Sequence, residues 1–249
     1  MGKTGKKLFG NLLSVGKNES KGLARVERPI TEETLLATRG KSVDLVFVID
    51  TTGSMSDKIQ GLLHTAVKFV ERFGKLQMDS RIAIVAFGDL TVKTDKIVAT
   101  GFTRNLEITK SSLQKIPRYS GGGNRGESAL EALQKAMALD FRDGVVKVLL
   151  LITDEPALQT RQLKANDVIE QLRERELLTF VVATPEKYYK EMAARTGGKW
   201  YKISANADFT DLLEMFGDIA ESVGNTVADV YRIGDGRVNE YLRLGAPEK

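Results

Sequence analysis

Apolar residues in this chain gather into short uninterrupted runs separated by longer stretches of helical period. The runs cover residues 45–49, 82–87, 148–152 and 177–183, the last with Thr179 inside it. Runs of this length bounded by Asp, Gly or Pro fit strands buried on both faces, which implies a largely parallel sheet. Between them, Ile59, Leu62, Leu63, Ala66, Val67, Val70 and Phe73 recur at three- and four-residue intervals. Leu130, Leu133, Ala136 and Met137 repeat the pattern, as do Val168, Ile169 and Leu172. Phe209, Leu212, Leu213, Phe216, Ile219, Ala220 and Val223 form a further stripe. Each stripe predicts an amphipathic helix. Strand–helix alternation of this spacing predicts an α/β fold: a doubly wound, mostly parallel open sheet with helices on both faces. Residues 96–103 and 199–204 are candidate edge strands, with the Gly197-Gly198 pair as the stop of the preceding helix. Residues 227–233 read as a short strand.

The pattern divides the chain into residues 1–41, a basic extension rich in Gly, Lys and Ser; residues 42–223, the folded domain; and residues 224–249, a C-terminal extension. The formal charge of +4 is not shared evenly. Lys3, Lys6, Lys7, Lys17, Lys21, Arg25 and Arg28 stand against Glu19 and Glu27, a net +5, leaving −1 for the remainder. The basicity therefore belongs to the first 28 residues. Leu8, Phe9, Leu12 and Leu13 would line one face of a short amphipathic helix there, read as docking on the domain or on a partner. No apolar run approaches the ~18–20 residues of a membrane span, and no secretory signal is evident, so a cytoplasmic protein is expected.

Composition narrows the chemistry. Among 249 residues there is no cysteine and one histidine, His64. Disulfides, thiolate nucleophiles, iron–sulfur clusters and Cys/His zinc sites are excluded, and a Ser-His-Asp triad has almost no material. Any metal must be held by oxygen. In open α/β sheets ligands bind at the carboxyl ends of the strands. There the first run ends at Asp50, followed by Thr51-Thr52-Gly53-Ser54-Met55-Ser56-Asp57. The run at 148–152 leads to Thr153-Asp154, and Ser120-Gly121-Gly122-Gly123-Asn124-Arg125-Gly126-Glu127 forms a glycine-rich loop between them. Two carboxylates and two hydroxyls make a partial oxygen shell for a hard cation such as Mg²⁺, which takes six oxygens at about 2.0–2.1 Å and keeps several waters. Without a cation, two carboxylates ~4 Å apart would repel by about 4 kcal/mol at an effective dielectric of ~20, so one is expected to be strained or protonated.

Asp50-Thr51-Thr52-Gly53-Ser54-Met55-Ser56, the Gly-rich loop and Leu151-Ile152-Thr153-Asp154 resemble the von Willebrand factor type A domain of the intracellular, bacterial type, with its metal-ion-dependent adhesion site. The likeness spans about residues 42–223. The resemblance implies that Asp50, Thr52, Ser54 and Asp154 bind the ion, Mg²⁺ or Mn²⁺. The family's second loop contributes a threonine where this chain has Gly123, which leaves Asn124 or Glu127 to reach the ion. The implied role is recognition, not catalysis: a partner protein's Asp or Glu completes the metal shell. Intracellular relatives serve in multiprotein assemblies, including partners of ring-shaped ATPases.

Three other readings fit the residues less well. Gly121-x-Gly123-x-x-Gly126 matches a dinucleotide fingerprint but follows no hydrophobic strand. A Mg²⁺-dependent phosphoryl-transfer enzyme of the haloacid-dehalogenase type needs a second Asp two residues after the first, and Thr52 stands there. A scaffold anchored to nucleic acid by its basic tail has charge enough, but only one aromatic, Phe9, for base stacking.

Overall fold

The computed structural model describes residues 30–123, 126–203 and 209–244. Six strands form one sheet: β1 (Ser42–Asp50), β2 (Asp79–Phe87), β3 (Ile97–Ala99), β4 (Val146–Ile152), β5 (Leu177–Ala183) and β6 (Trp200–Lys202). Their order is β3-β2-β1-β4-β5-β6, every pairing parallel except the β2–β3 edge. The helices are α1 (Glu32–Thr38), α2 (Ser56–Gly74), α3 (Leu106–Gln114), α4 (Ala129–Met137), α5 (Ala165–Glu174), α6 (Lys187–Arg195), α7 (Phe209–Gly234) and α8 (Val238–Leu244).

The uninterrupted apolar runs serve two cores at once, because successive strand side chains point to opposite faces. From β1, Val43, Leu45, Phe47 and Ile49 meet α2, α3, α7 and α8, whereas Val46 and Val48 meet α4, α5 and α6. Phe47 packs edge-on against Phe69 of α2, centroids 5.2 Å apart, and Phe69 stacks on Phe73 at 5.5 Å. A charge interrupts the apolar run of β1. Asp44 is fully buried and lies opposite Arg81 in the β1–β2 register. Arg81 donates to it through Nε at 3.0 Å and Nη2 at 2.6 Å, and Arg142 through its backbone N at 2.8 Å and Nε at 2.9 Å. Burial alone would raise its pKa, but these donors outweigh burial and hold the carboxyl below its ordinary value.

Several segments depart from expectation. Residues 227–233 are helical: α7 runs on to Gly234, with Val227 and Val230 continuing the buried stripe of Phe216, Ile219 and Val223. The apolar residues in that window serve a 3.6-residue period, not a strand's alternation. Residues 32–38, assigned above to the extension, form α1, whose Thr38 hydroxyl donates to Leu76 O at 2.7 Å. The edge-strand candidates shorten to three residues each. The apolar cluster at residues 8–13 lies outside the described residues. No helix among the described residues is long and apolar enough to cross a membrane.

The chain winds outward from β1 in both directions, so the topological switch falls between the adjacent strands β1 and β4. Their carboxyl ends deliver Asp50 and Asp154 side by side.

Candidate metal centre

Three loops converge at this switch point, and specific backbone contacts tie them. Thr51 N continues the ladder to Phe87 O, and Tyr119 N donates to Thr51 O at 2.9 Å, which brings the glycine-rich loop over the first. A Cβ on Gly53 would lie 2.7 Å from Ser120 O, so only glycine admits that approach. The second and third loops are joined by Glu127 N to Pro156 O at 2.9 Å and Leu158 N to Glu127 O at 2.8 Å. Buried Asp95 holds the rim of the second loop, accepting from Gly121 N at 3.0 Å and the Ser120 hydroxyl at 3.3 Å. The third loop is backed by α6, where the Tyr189 hydroxyl donates to Glu155 O and Ala157 N donates to the Tyr188 hydroxyl.

Within this frame the predicted oxygens form a chain. Asp50 Oδ1 accepts from Thr52 N at 3.0 Å and the Thr52 hydroxyl at 2.7 Å. Thr52 Oγ1 lies 3.2 Å from Ser54 Oγ, and Ser54 Oγ donates to Asp154 Oδ1 at 2.8 Å. Asp50, Thr52, Ser54 and Asp154 therefore come together. Asp50 and Thr52 are buried, Asp154 is half-buried and Ser54 is exposed, so the set runs from the floor of the site to its mouth. A short 3-10 turn, Gly53–Met55, aims Thr52 and Ser54 before α2 begins.

Sequence reasoning gave Thr153 no role. Its hydroxyl donates to Asp50 Oδ2 at 2.7 Å, fixing the oxygen that Thr52 leaves free.

Burial sets the electrostatics. Asp50 is pushed up to about 6, first by desolvation, with Asp154 only the smallest of the causes, while bonds from Thr153 and Thr52 pull the other way. The expected protonation pressure is thus present, but desolvation outranks the repulsion between the two acids. Glu127 is pushed up to about 8 by burial and then by the charges of Asp50 and Asp89. Glu127 sits beside Thr52: a Cβ on Gly121 would lie 3.2 Å from Glu127 Oε1 and 3.3 Å from Thr52 Cβ. Its Oε2, and Asp89 Oδ2, are buried with no hydrogen-bond donor. Asn124 lies outside the described residues, and Gly123, with φ +67, brings no donor side chain.

These donors fit a hard divalent cation. They are all oxygens, and they run from the buried floor of the site to its mouth. Among the described residues no three His, Cys, Asp or Glu side chains group as a metal cluster, so the site relies on two carboxylates supplemented by hydroxyls.

Comparison with known proteins agrees with this reading of the fold. A family model described as the von Willebrand factor type A domain matches residues 44–218. The chain belongs to this family. Two solved structures of proximal thread matrix protein 1 from the mussel byssus, one of them with a zinc-occupied MIDAS motif, are similar to this type A domain at 16% identity and TM-score 0.54. Each alignment covers 76% of this chain and 46% of the mussel protein, so the chain spans under half the length of that neighbour. A third structure of the same protein aligns over 73% of this chain, again at TM-score 0.54 and 16% identity. No curated sequence relative matches the chain. The loops that carry Asp50 and Asp154 leave the carboxyl ends of the adjacent strands β1 and β4.

An open cavity of about 1060 Å³ lies at the opposite end of the sheet between α1 and α7. Arg39, Lys41, Glu33 and Glu221 are among its lining residues, a mixed set with no convergent catalytic group.

Proposed function

We propose that this domain is a metal-dependent protein-binding module. Asp50, Thr52, Ser54 and Asp154 hold Mg²⁺ or Mn²⁺, and an Asp or Glu of a partner protein completes the ion's shell. The observation that carries the reading is the hydrogen-bonded series from Asp50 through Thr52 and Ser54 to Asp154, drawn from adjacent parallel strands. Two carboxylates roughly neutralise a divalent ion, and neutral hydroxyls leave it electrophilic enough to take a further carboxylate. The zinc-occupied motif of the mussel protein supports a divalent ion at this position.

The chain's own residues supply orientation. Thr153 and Thr52 fix both oxygens of Asp50, and buried Asp50 anchors the floor. Exposed Ser54 and half-buried Asp154 leave the outer side of the ion toward solvent. Glu127 is the candidate from the second loop, acting on the ion directly or through water. A site at a loop surface suits a macromolecular partner, and Thr52 in the position of a general acid argues against phosphoryl transfer. The partner is proposed to belong to a multiprotein assembly.

Thermal melting tests the reading. Mg²⁺ or Mn²⁺ is expected to raise Tm, and EDTA to reverse the gain. Ser54→Ala and Asp154→Ala are expected to abolish the response while folding normally. A wild-type melt indifferent to both ions and to EDTA refutes it.

A further inference from the structure

Charge around the candidate centre is sorted by depth. In the loops at the carboxyl end of the sheet, the acids lie low: Asp89, Asp95 and Glu127 are buried, and Asp154 and Glu155 are half-buried. The cations stand at the surface. Lys93 and Lys96 follow β2, Arg118 precedes the glycine-rich loop, and Arg161 and Lys164 lie beyond Asp154; all five are exposed. None forms an ion pair with a carboxylate among the described residues, and no acid is exposed among the described residues of 88–96, 118–128 and 153–164. Arginines elsewhere on the surface are held differently, as in Arg104–Asp79, Arg173–Glu170 and Arg232–Asp229. The near-neutral body therefore carries a positive ring on one face.

We infer that this ring is a docking surface for an acidic protein segment, in which one carboxylate enters the metal centre and flanking Asp or Glu residues meet Lys93, Lys96, Arg118, Arg161 and Lys164. The inference rests on the metal-dependent reading above and adds to it the character of the partner. A lone carboxylate is common on protein surfaces and selects little. A run of acids would be steered by the ring, whose field reaches about 8 Å at physiological ionic strength. A polyanion such as nucleic acid would share the steering, but these loops expose no aromatic side chain among their described residues on which a base could stack.

The test uses the full chain, a fluorescein-labelled Glu-rich dodecapeptide and a labelled single-stranded DNA 20-mer, read by anisotropy in Mg²⁺ and in EDTA. The comparison variant is Lys93→Gln/Lys96→Gln/Arg118→Gln/Arg161→Gln/Lys164→Gln, with Arg173→Gln as control. Peptide binding is expected to weaken about tenfold in the five-site variant at low salt and to converge on the wild type near 1 M salt. The control is expected to bind as the wild type, and the five-site variant to keep its Mg²⁺-induced rise in Tm. Equal peptide binding by the wild type and the five-site variant overturns the inference, as does charge-dependent binding of DNA without binding of the peptide. Charge-sensitive peptide binding that persists in EDTA upholds the ring and removes the metal from the contact.

Discussion

Asp50→Asn should make the metal-free protein more stable at pH 8, although it changes the residue at the heart of the site. Asp50 is fully buried, and its folded pKa is raised from 3.8 to about 6, chiefly by desolvation. Between those values the folded state holds a proton that the unfolded chain has released, so stability falls as pH rises through that window. By pH 7–8 the cost is complete, about 3 kcal/mol. Asparagine keeps the acceptor for Thr52 N and the Thr52 hydroxyl. It would turn a donor toward Thr153, whose hydroxyl can donate instead to Glu155 O, 3.4 Å away. Urea unfolding in EDTA at pH 5, 6, 7 and 8 is the assay. The variant should exceed the wild type by about 1.6 kcal/mol at pH 5 and by up to ~3 kcal/mol at pH 8. Excess Mg²⁺ should reverse the ranking, because the ion binds only the carboxylate; at a thousand times its Kd it stabilises the wild type by about 4.1 kcal/mol, more than the cost of burying the charge. A variant less stable than the wild type at pH 8 in EDTA, or a difference independent of pH, refutes desolvation as the ruling effect.

Other perturbations act far from the centre. Arg142→Ala strips the buried Asp44 carboxylate of its Nε hydrogen bond and its Nη2 contact and is expected to cost about 3 kcal/mol, measured by urea unfolding at pH 7. The same pair predicts the opposite pH sense from Asp50: Asp44 has a depressed pKa, so its contribution is present above about pH 4 and is lost on acidification below that, a loss that Arg142→Ala should blunt. Gly198→Ala should lower Tm by an amount equivalent to 2 kcal/mol or more, about that of core overpacking, since the new Cβ would lie 2.2 Å from Thr179 O; an unchanged melt would show that the β5–β6 junction yields.

How much was legible in the sequence follows from which forces act locally. The four strands with uninterrupted apolar runs were readable because burial on both faces leaves no polar positions. Asp50, Thr52, Ser54 and Asp154 were readable because strand-end acids followed by spaced hydroxyls are few. The helix α6 was legible only at its Gly197-Gly198 stop, since its buried face is only Tyr189, Met192 and Ala193 among charged neighbours. The helix α3 was not legible, as few apolar residues mark the buried side. Asp44 hid inside an apolar run, because its partners lie 37 and 98 residues away. Thr153 was passed over for the same reason: its bond crosses between strands, from 103 residues along the chain.

Titration with Mn²⁺, followed by electron paramagnetic resonance and water-proton relaxation, addresses the metal centre most directly. One Mn²⁺ per chain is expected to bind with exchangeable water on its open side, and a Glu-rich peptide to displace that water. Asp154→Ala is expected to lose the bound ion. Failure of the wild type to bind Mn²⁺, or equal binding by Asp154→Ala, would contradict the account.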